Sequence, residues 1–221
     1  LLAAGGDLSV ARLVQAYRHG IFPWYSDEQP ILWWSPDPRC VIDPNQFRPS
    51  RSLSKRMRQV DYRIEIDRDF VAVIHACRTR QAPEISLEIT SGAAIGKSPA
   101  ALTDTWITAE MERAYTELHL EGLAHSVECY IDGNLSGGLY GVSLGKLFFG
   151  ESMFHYTTDA SKFAFAHLMS LMREVGCPLV DCQITNPHLT SLGAVEIDRD
   201  SFARIVQDNV DEPAIDWSAF S

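Results

Sequence analysis

Apolar residues recur along this chain with two periods, and each period names an element. Leu13, Ala16 and Tyr17 fall on one helical face, with Ser9 placed as a cap and Gly20 as a stop, so a helix is predicted from Ser9 to about His19. Ile21–Tyr25 and Ile31–Arg39 are aromatic, Pro-punctuated segments joined by a polar turn through Gln29 and Pro30, and they read as strands or extended segments. Ser50 or Ser52 can cap a short helix over the cations that follow. Tyr62–Ile66 alternates like a half-buried strand, and Phe70–Cys77 reads as a helix. From Gln81 to about Asp104 the composition turns to Ala, Ser, Gly, Pro and Thr, which predicts a long surface loop. Thr108 then caps an amphipathic helix from Ala109 to about Leu120, closed by Gly122.

The second half is more regular. Ser126–Ile131 alternates, Asp132-Gly133-Asn134 is a hairpin turn, and Leu135–Leu144 returns. A second turn at Gly145-Lys146 leads into a strand that carries Glu151. Asp159 or Ser161 opens a helix ending at Gly176, and its apolar residues (Phe163, Ala166, Leu168, Met169, Met172) spread round most of the circumference, so it is expected to be buried. The strand that follows delivers Asp181 and Gln183 to one face and Cys182 to the other. A carboxylate in a run as apolar as Pro-Leu-Val-Asp-Cys needs a partner or a task. Asn186-Pro187 caps a short helix stopping at Gly193, Ala194–Ile197 is a strand, and Asp198 or Asp200 opens the last helix. Asp208, Asp211, Glu212 and Asp216 read as a peripheral acidic tail.

These elements predict an α+β protein with a mixed sheet flanked by helices. The shift away from Pro- and Trp-rich sequence near Gln59 divides it into a small N-terminal domain, 1–59, and a larger domain, 60–221. The hairpins, buried helix and following strand of the larger part resemble the N-acetyltransferase (GNAT-like) fold. The phosphate-binding glycine loop expected there is replaced by Ser152-Met-Phe-His-Tyr-Thr-Thr-Asp159, which leaves a CoA site unsupported.

Composition narrows the chemistry. With 46% hydrophobic residues in 221, a sizeable core is available. No apolar run approaches the roughly 18 residues of a membrane span. The N-terminus has no leader pattern, so a soluble intracellular protein is expected; the first residue is Leu1, which allows for residues upstream. Five cysteines without a Cys-x-x-Cys pair point to buried free thiols rather than disulfides or zinc. A net charge of -10 and a pI near 5.1 disfavour broad nucleic-acid binding and suit a cationic substrate. Against that background the basic run Arg48–Arg58 stands out as a phosphate footprint, and on charge Arg51, Lys55, Arg56, Arg58, Arg78 and Arg80 are candidates for an RNA backbone. Three tryptophans within Trp24–Trp34 exceed what a core needs, and one can stack on a base. There is no Gly-x-Ser-x-Gly elbow, no histidine placed to activate Ser152 or Cys182, and no metal-ligand spacing among seven histidines.

Longer motifs carry a closer likeness. Tyr17-Arg-His-Gly-Ile-Phe-Pro-Trp24, Ile31-Leu-Trp-Trp-Ser-Pro-Asp-Pro-Arg39, Thr105-Trp-Ile107, Gly137-Gly-Leu-Tyr-Gly141, Gly150-Glu-Ser-Met-Phe154, Ala160-Ser-Lys162, Asp181-Cys-Gln183 and Ser191-Leu-Gly-Ala194 occur in this order. Together they closely resemble the leucyl/phenylalanyl-tRNA–protein transferase family. The resemblance implies a cytoplasmic bacterial enzyme, with neither cofactor nor metal. Its reaction would move Leu or Phe (also Met) from aminoacyl-tRNA to proteins with N-terminal Arg or Lys, marking them for degradation. By resemblance, Asp181 with Gln183 would polarise or deprotonate the attacking amine, and Glu151 would bind the α-amino group of the carried residue. Trp34 and Trp106 would stack on the terminal adenosine, and Leu139, Leu168 and Val180 would line the side-chain pocket beside Gly150 and Ser152. A monomer without membrane contact is expected. The competing readings are an acyl-CoA-dependent N-acyltransferase and a non-catalytic tRNA-binding module.

Overall fold

Helix starts follow the capping residues. Ser50, Asp69, Thr108, Asn186 and Asp198 each accept a hydrogen bond from the backbone N–H three residues on, which satisfies a donor the first turn would otherwise leave open. The computed structural model describes residues 1–79 and 107–220. In chain order the elements are β1 (Ala3–Ala4), α1 (Val10–Arg18), β2 (Phe22–Pro23), β3 (Leu32–Trp34), β4 (Arg39–Ile42), α2 (Arg51–Gln59), β5 (Tyr62–Ile66) and α3 (Phe70–Arg78). After the undescribed residues come α4 (Ala109–Leu120), β6 (Ala124–Ile131), β7 (Asn134–Leu144), β8 (Leu147–His155) and α5 (Ala160–Glu174). The chain closes with β9 (Val180–Gln183), α6 (Pro187–Ser191), β10 (Val195–Ile197), α7 (Arg199–Asn209) and a 3-10 turn, Trp217–Phe220.

A small sheet, β1-β3-β2, holds the N-terminal aromatic strands. A larger seven-stranded sheet runs β10-β4-β9-β8-β7-β6-β5. It is mixed: β8 and β9 are parallel, joined across α5, while its other pairings are antiparallel. Both faces are covered. Val127, Leu139 and Phe148 pack with α5 on one side. Ala124, Tyr140, Val142 and Phe149 pack with α1, α3, α4 and α7 on the other. Strands buried on both faces lose polar alternation, which is why β7 is buried almost end to end. As its all-round apolar pattern predicts, α5 is largely buried. All five cysteines are buried free thiols, and no described helix is long and apolar enough to cross a membrane.

Two features escaped the sequence pattern. The tail's acidic residues Asp208, Asp211, Glu212 and Asp216 are exposed, as expected, but the segment is anchored: Arg18 pairs with Asp211 and Lys146 with Glu212, and Trp217 is buried, stacked on His125 at 4.3 Å with its indole N–H bonded to Ser143. The strand Arg39–Ile42, of which only Arg39 falls in the extended segment Ile31–Arg39 read from the sequence, belongs to the large sheet between β10 and β9. Residues 1–59 therefore contribute to both sheets. The loop expected over 81–104 lies outside the described residues.

Candidate active site

The site forms where two neighbouring strands part. β8 and β9 pair only through Phe148↔Val180 and Phe149↔Asp181, and beyond that point each carries one extra residue relative to its other neighbour. In β8, Tyr140 faces Ser152 and Gly141 faces Gly150, so Glu151 is the bulged residue. In β9, Val41 faces Asp181 and Cys40 faces Gln183, so Cys182 is. A bulge re-aims side chains out of strict alternation, and here both point polar groups into one space. Gly141 permits the first bulge, because a Cβ there would overlap the Phe149 carbonyl and the Phe148 ring.

Glu151 is surrounded by neutral donors. Tyr17 of α1 donates to Oε1 at 2.7 Å, Tyr115 of α4 to Oε2 at 3.2 Å, and the Gln183 amide to Oε1 at 3.2 Å. The two tyrosine hydroxyls also lie 2.5 Å apart. Three O···O contacts thus link two hydroxyls and one carboxyl, and because either hydroxyl can donate to the other, the three groups form one hydrogen-bonded cluster. Burial, with the negative charge of Asp181 adding to it, pushes Glu151 up from its ordinary 4.5 to about 7, against the Tyr17 and Tyr115 hydrogen bonds and Arg39, which pull it down.

Asp181 is held differently. Both its oxygens accept from Arg39, at 2.7 Å each, in a bidentate pair whose side chains are 0% and 1% exposed. Arg39 also donates to the Gly20 carbonyl at 2.9 Å, and its guanidinium lies over the rings of Phe22 and Phe202. The carboxylate that the apolar run required to be paired is paired, and it is not presented to the cavity. What Asp181 does reach is Gln183, whose backbone N–H donates to Oδ1 at 3.1 Å. That contact accompanies a left-handed turn at Gln183, φ 57°, unusual for a non-glycine residue, and the amide reaches Glu151. The simple alternation that put Asp181 and Gln183 side by side does not hold here.

A cavity of about 1000 Å³ opens beside these groups. Leu139, Leu168, Val180, Gly150, Ser152, Glu151 and Gln183, all singled out from the sequence, line it. Trp34 does not: Trp24 lines the cavity and is 40% exposed, while Trp34 backs it, its indole N–H donating to the Trp24 carbonyl and its ring 6.0 Å away. Trp106 and Arg80 lie outside the described residues. Arg51, Lys55, Arg56 and Arg58 are exposed along α2. Arg56 reaches Asp159 at the cavity rim (3.7 Å), and Arg78 is held by Glu112 at 2.7 Å. Sequence reasoning missed Tyr17, Tyr115 and Arg39 as site residues, and it marked Trp24 only as one of three tryptophans of which one can stack on a base. Tyr17, Trp24 and Arg39 stand at the ends of motifs quoted above, whereas Tyr115 reads as one more apolar-face residue of α4. Among the described residues no His, Cys, Asp and Glu group could hold a metal ion.

Comparison with known proteins bears on this arrangement. The profile for leucyl/phenylalanyl-tRNA protein transferase matches residues 41–207, and the profile for that family's N-terminal domain matches residues 6–37. The chain belongs to the leucyl/phenylalanyl-tRNA protein transferase family. Its similarity to a member from Pseudomonas fluorescens strain Pf0-1 is 53% identity over 213 residues, covering 96% of this chain and 86% of the relative. A Pseudomonas putida member is 52% identical over 221 residues, 99% and 89% covered, and one from Azotobacter vinelandii 49% identical over 221 residues with the same coverage. Among solved structures, L-PGS from Bacillus licheniformis overlaps 81% of this chain and 52% of its own at 12% identity and a TM-score of 0.39. The family matches take in Tyr17 and Trp24 on one side and Tyr115, Glu151, Asp181 and Gln183 on the other, while Arg39 falls in the short gap between them.

Proposed function

We propose that this protein transfers Leu or Phe, and also Met, from aminoacyl-tRNA to the α-amine of proteins beginning with Arg or Lys, marking them for degradation. The observation that carries the reading is Glu151: a cavity-facing carboxyl with a pKa of about 7, ringed by neutral donors at one end of an apolar pocket. Such a group is suited to the ammonium of the carried amino acid, which supplies the counter-charge that burial withholds. Leu139, Leu168, Val180 and Phe165 would receive the apolar side chain, and Trp24 the face of the terminal adenine.

In this reading the acceptor's neutral amine attacks the ester carbonyl carbon, a C–N bond forms, and the C–O bond to the ribose breaks. The proton lost by nitrogen ends on the departing ribose oxygen. The ester is already activated, so the residues need only bind, orient and keep water out. Gln183 is placed to orient the reacting groups through its amide. Asp181 is a positioning residue: tied to Arg39, it holds the Gln183 backbone, and its negative charge adds to the burial that raises the Glu151 pKa.

The proposal extends to architecture and setting. Antiparallel β6-β7-β8, then α5 leading to a β9 parallel to β8, supports an acetyltransferase-like arrangement. A small N-terminal domain, 1–59, and a larger domain, 60–221, belong to the same reading, and the separate three-stranded sheet of the N-terminal strands supports a distinct N-terminal unit. A cytoplasmic monomer is part of the same reading. The test is transfer of radiolabelled Leu from charged tRNA to a peptide beginning with Arg, beside an identical peptide beginning with Ala. Label on the Arg peptide alone is expected; no label on either removes the catalytic reading and brings acyl-CoA forward as donor.

A further inference from the structure

Helix α5 begins at the wall of the cavity, and its first turn is unfinished. Asp159 stands at the N-cap without a side-chain capping bond. Ala160 N–H donates to Thr157 and Phe163 N–H to Asp159, while among the described residues the N–H groups of Ser161 and Lys162 have no backbone acceptor. Ser161 lines the cavity, is 4% exposed, and its hydroxyl has no hydrogen-bond partner among the described residues. A hydroxyl on a largely buried residue that opens onto a cavity without a protein partner can donate to a ligand there. Beside it lie two cations, Lys162 at 2.9 Å and Arg56 at 3.7 Å from the Asp159 carboxylate. Two cations against one carboxylate leave a net positive charge at the positive end of a fifteen-residue helix.

We propose that the first turn of α5, with Ser161 Oγ, Lys162 and Arg56, binds one phosphodiester phosphate near the 3′ end of the RNA that delivers the aminoacyl ester. The inference rests on the tRNA reading above and adds a particular contact to it. Open N–H groups, a hydroxyl and cations form a donor set for a tetrahedral anion. Gly137 lets β7 approach this turn closely, since a Cβ there would stand 2.7 Å from the Ser161 nitrogen and from the Ala160 Cβ. Asp159 holds both cations at the helix end until the phosphate takes them over. The phosphate's strand then enters along α2, whose exposed cations continue the positive surface.

The experiment uses a labelled RNA hairpin ending in CCA and three versions with one of the last three phosphodiesters replaced by a neutral methylphosphonate. Binding is measured for the wild-type chain, Lys162→Gln and Ser161→Ala. At one linkage the wild type is expected to lose about tenfold in affinity, the scale of one charge-assisted contact. Lys162→Gln is expected to bind the unmodified RNA more weakly and to lose less than about twofold at that same linkage. Ser161→Ala should show the same pattern to a smaller degree. Lys162 is 38% exposed, so its replacement is compatible with folding, and urea unfolding checks that. Undiminished sensitivity of both variants at every linkage overturns the phosphate site while leaving the tRNA reading intact. Failure of the unmodified hairpin to bind the wild type overturns both.

Discussion

Replacing Glu151 by Gln should stabilise the empty protein at pH 8 far more than at pH 5, while impairing transfer. Glu151 holds its proton to about pH 7 in the folded chain, against an ordinary 4.5. Across that window the folded state binds more protons than the unfolded one, so the group's contribution to stability falls as pH rises from about 4.5 to about 7. At roughly 1.4 kcal/mol per pH unit, the full effect approaches about 3 kcal/mol. A glutamine cannot ionise, and its carbonyl can still accept from Tyr17 or Tyr115, so the variant escapes the loss. Urea unfolding of both proteins at several pH values supplies the test. Subtracting one curve from the other cancels every other titrating group, leaving a difference that should grow by about 2–3 kcal/mol between pH 5 and 8 in favour of the variant. A difference that is flat with pH would show that Glu151 is not a strained acid, and the argument for its role would fall. The same variant must lose activity, since stability gained at a functional carboxyl is stability the working site forgoes.

Two further outcomes follow from the same geometry. Arg39→Met leaves Asp181 as a buried charge without its partner and should cost about 3–5 kcal/mol in urea unfolding, most of it recovered in Arg39→Met combined with Asp181→Leu; no recovery in the double variant would deny that the pair is the cause. Trp24→Ala should weaken binding of a short RNA ending in adenosine by about 1–3 kcal/mol, with a smaller effect from Trp34→Phe; equal losses would remove Trp24 as the stacking face.

Periodicity made most of the elements legible, and capping residues set several of the helix starts. Thr108 and Asn186 cap where expected, and Asp132-Gly133 makes the first hairpin turn with both residues at positive φ. The site was legible as a set of residue types and motifs, but not as a set of contacts. A period-2 pattern carries no mark for a bulge, so it could not show that Glu151 and Cys182 are the extra residues or that Gln183 turns left-handed. Nor does it pair residues distant in sequence. Arg39 and Asp181 are separated by 142 positions and meet through the pairing of β4 with β9, while Tyr17 and Glu151, 134 positions apart, meet because α1 packs on a face of the large sheet. In the tail the acidic residues are exposed as their charge signalled, while the packing of the segment is decided by a tryptophan among them, Trp217, that charge patterning does not mark.

The contrast between two carboxyls a strand apart explains why the site holds together in the absence of substrate. Asp181 is matched with a permanent cation and is closed off from the cavity; Glu151 faces the cavity with only neutral hydroxyls and an amide around it. Charging Glu151 without a counter-ion leaves two negative groups near one guanidinium in a desolvated pocket, which raises the carboxyl's pKa to about 7 in the empty site. In the function proposed above, an ammonium entering beside Glu151 would reverse that balance, and the proton would be released as the substrate's charge replaces it. A carried group without a charged amine gains nothing from Glu151, because it cannot supply the counter-charge that makes the carboxylate tolerable there. In the function proposed above, discrimination in favour of an aminoacyl ester over a plain acyl ester would arise from the same burial that raises the pKa, and both would be lost together if the pocket around Glu151 were opened to water.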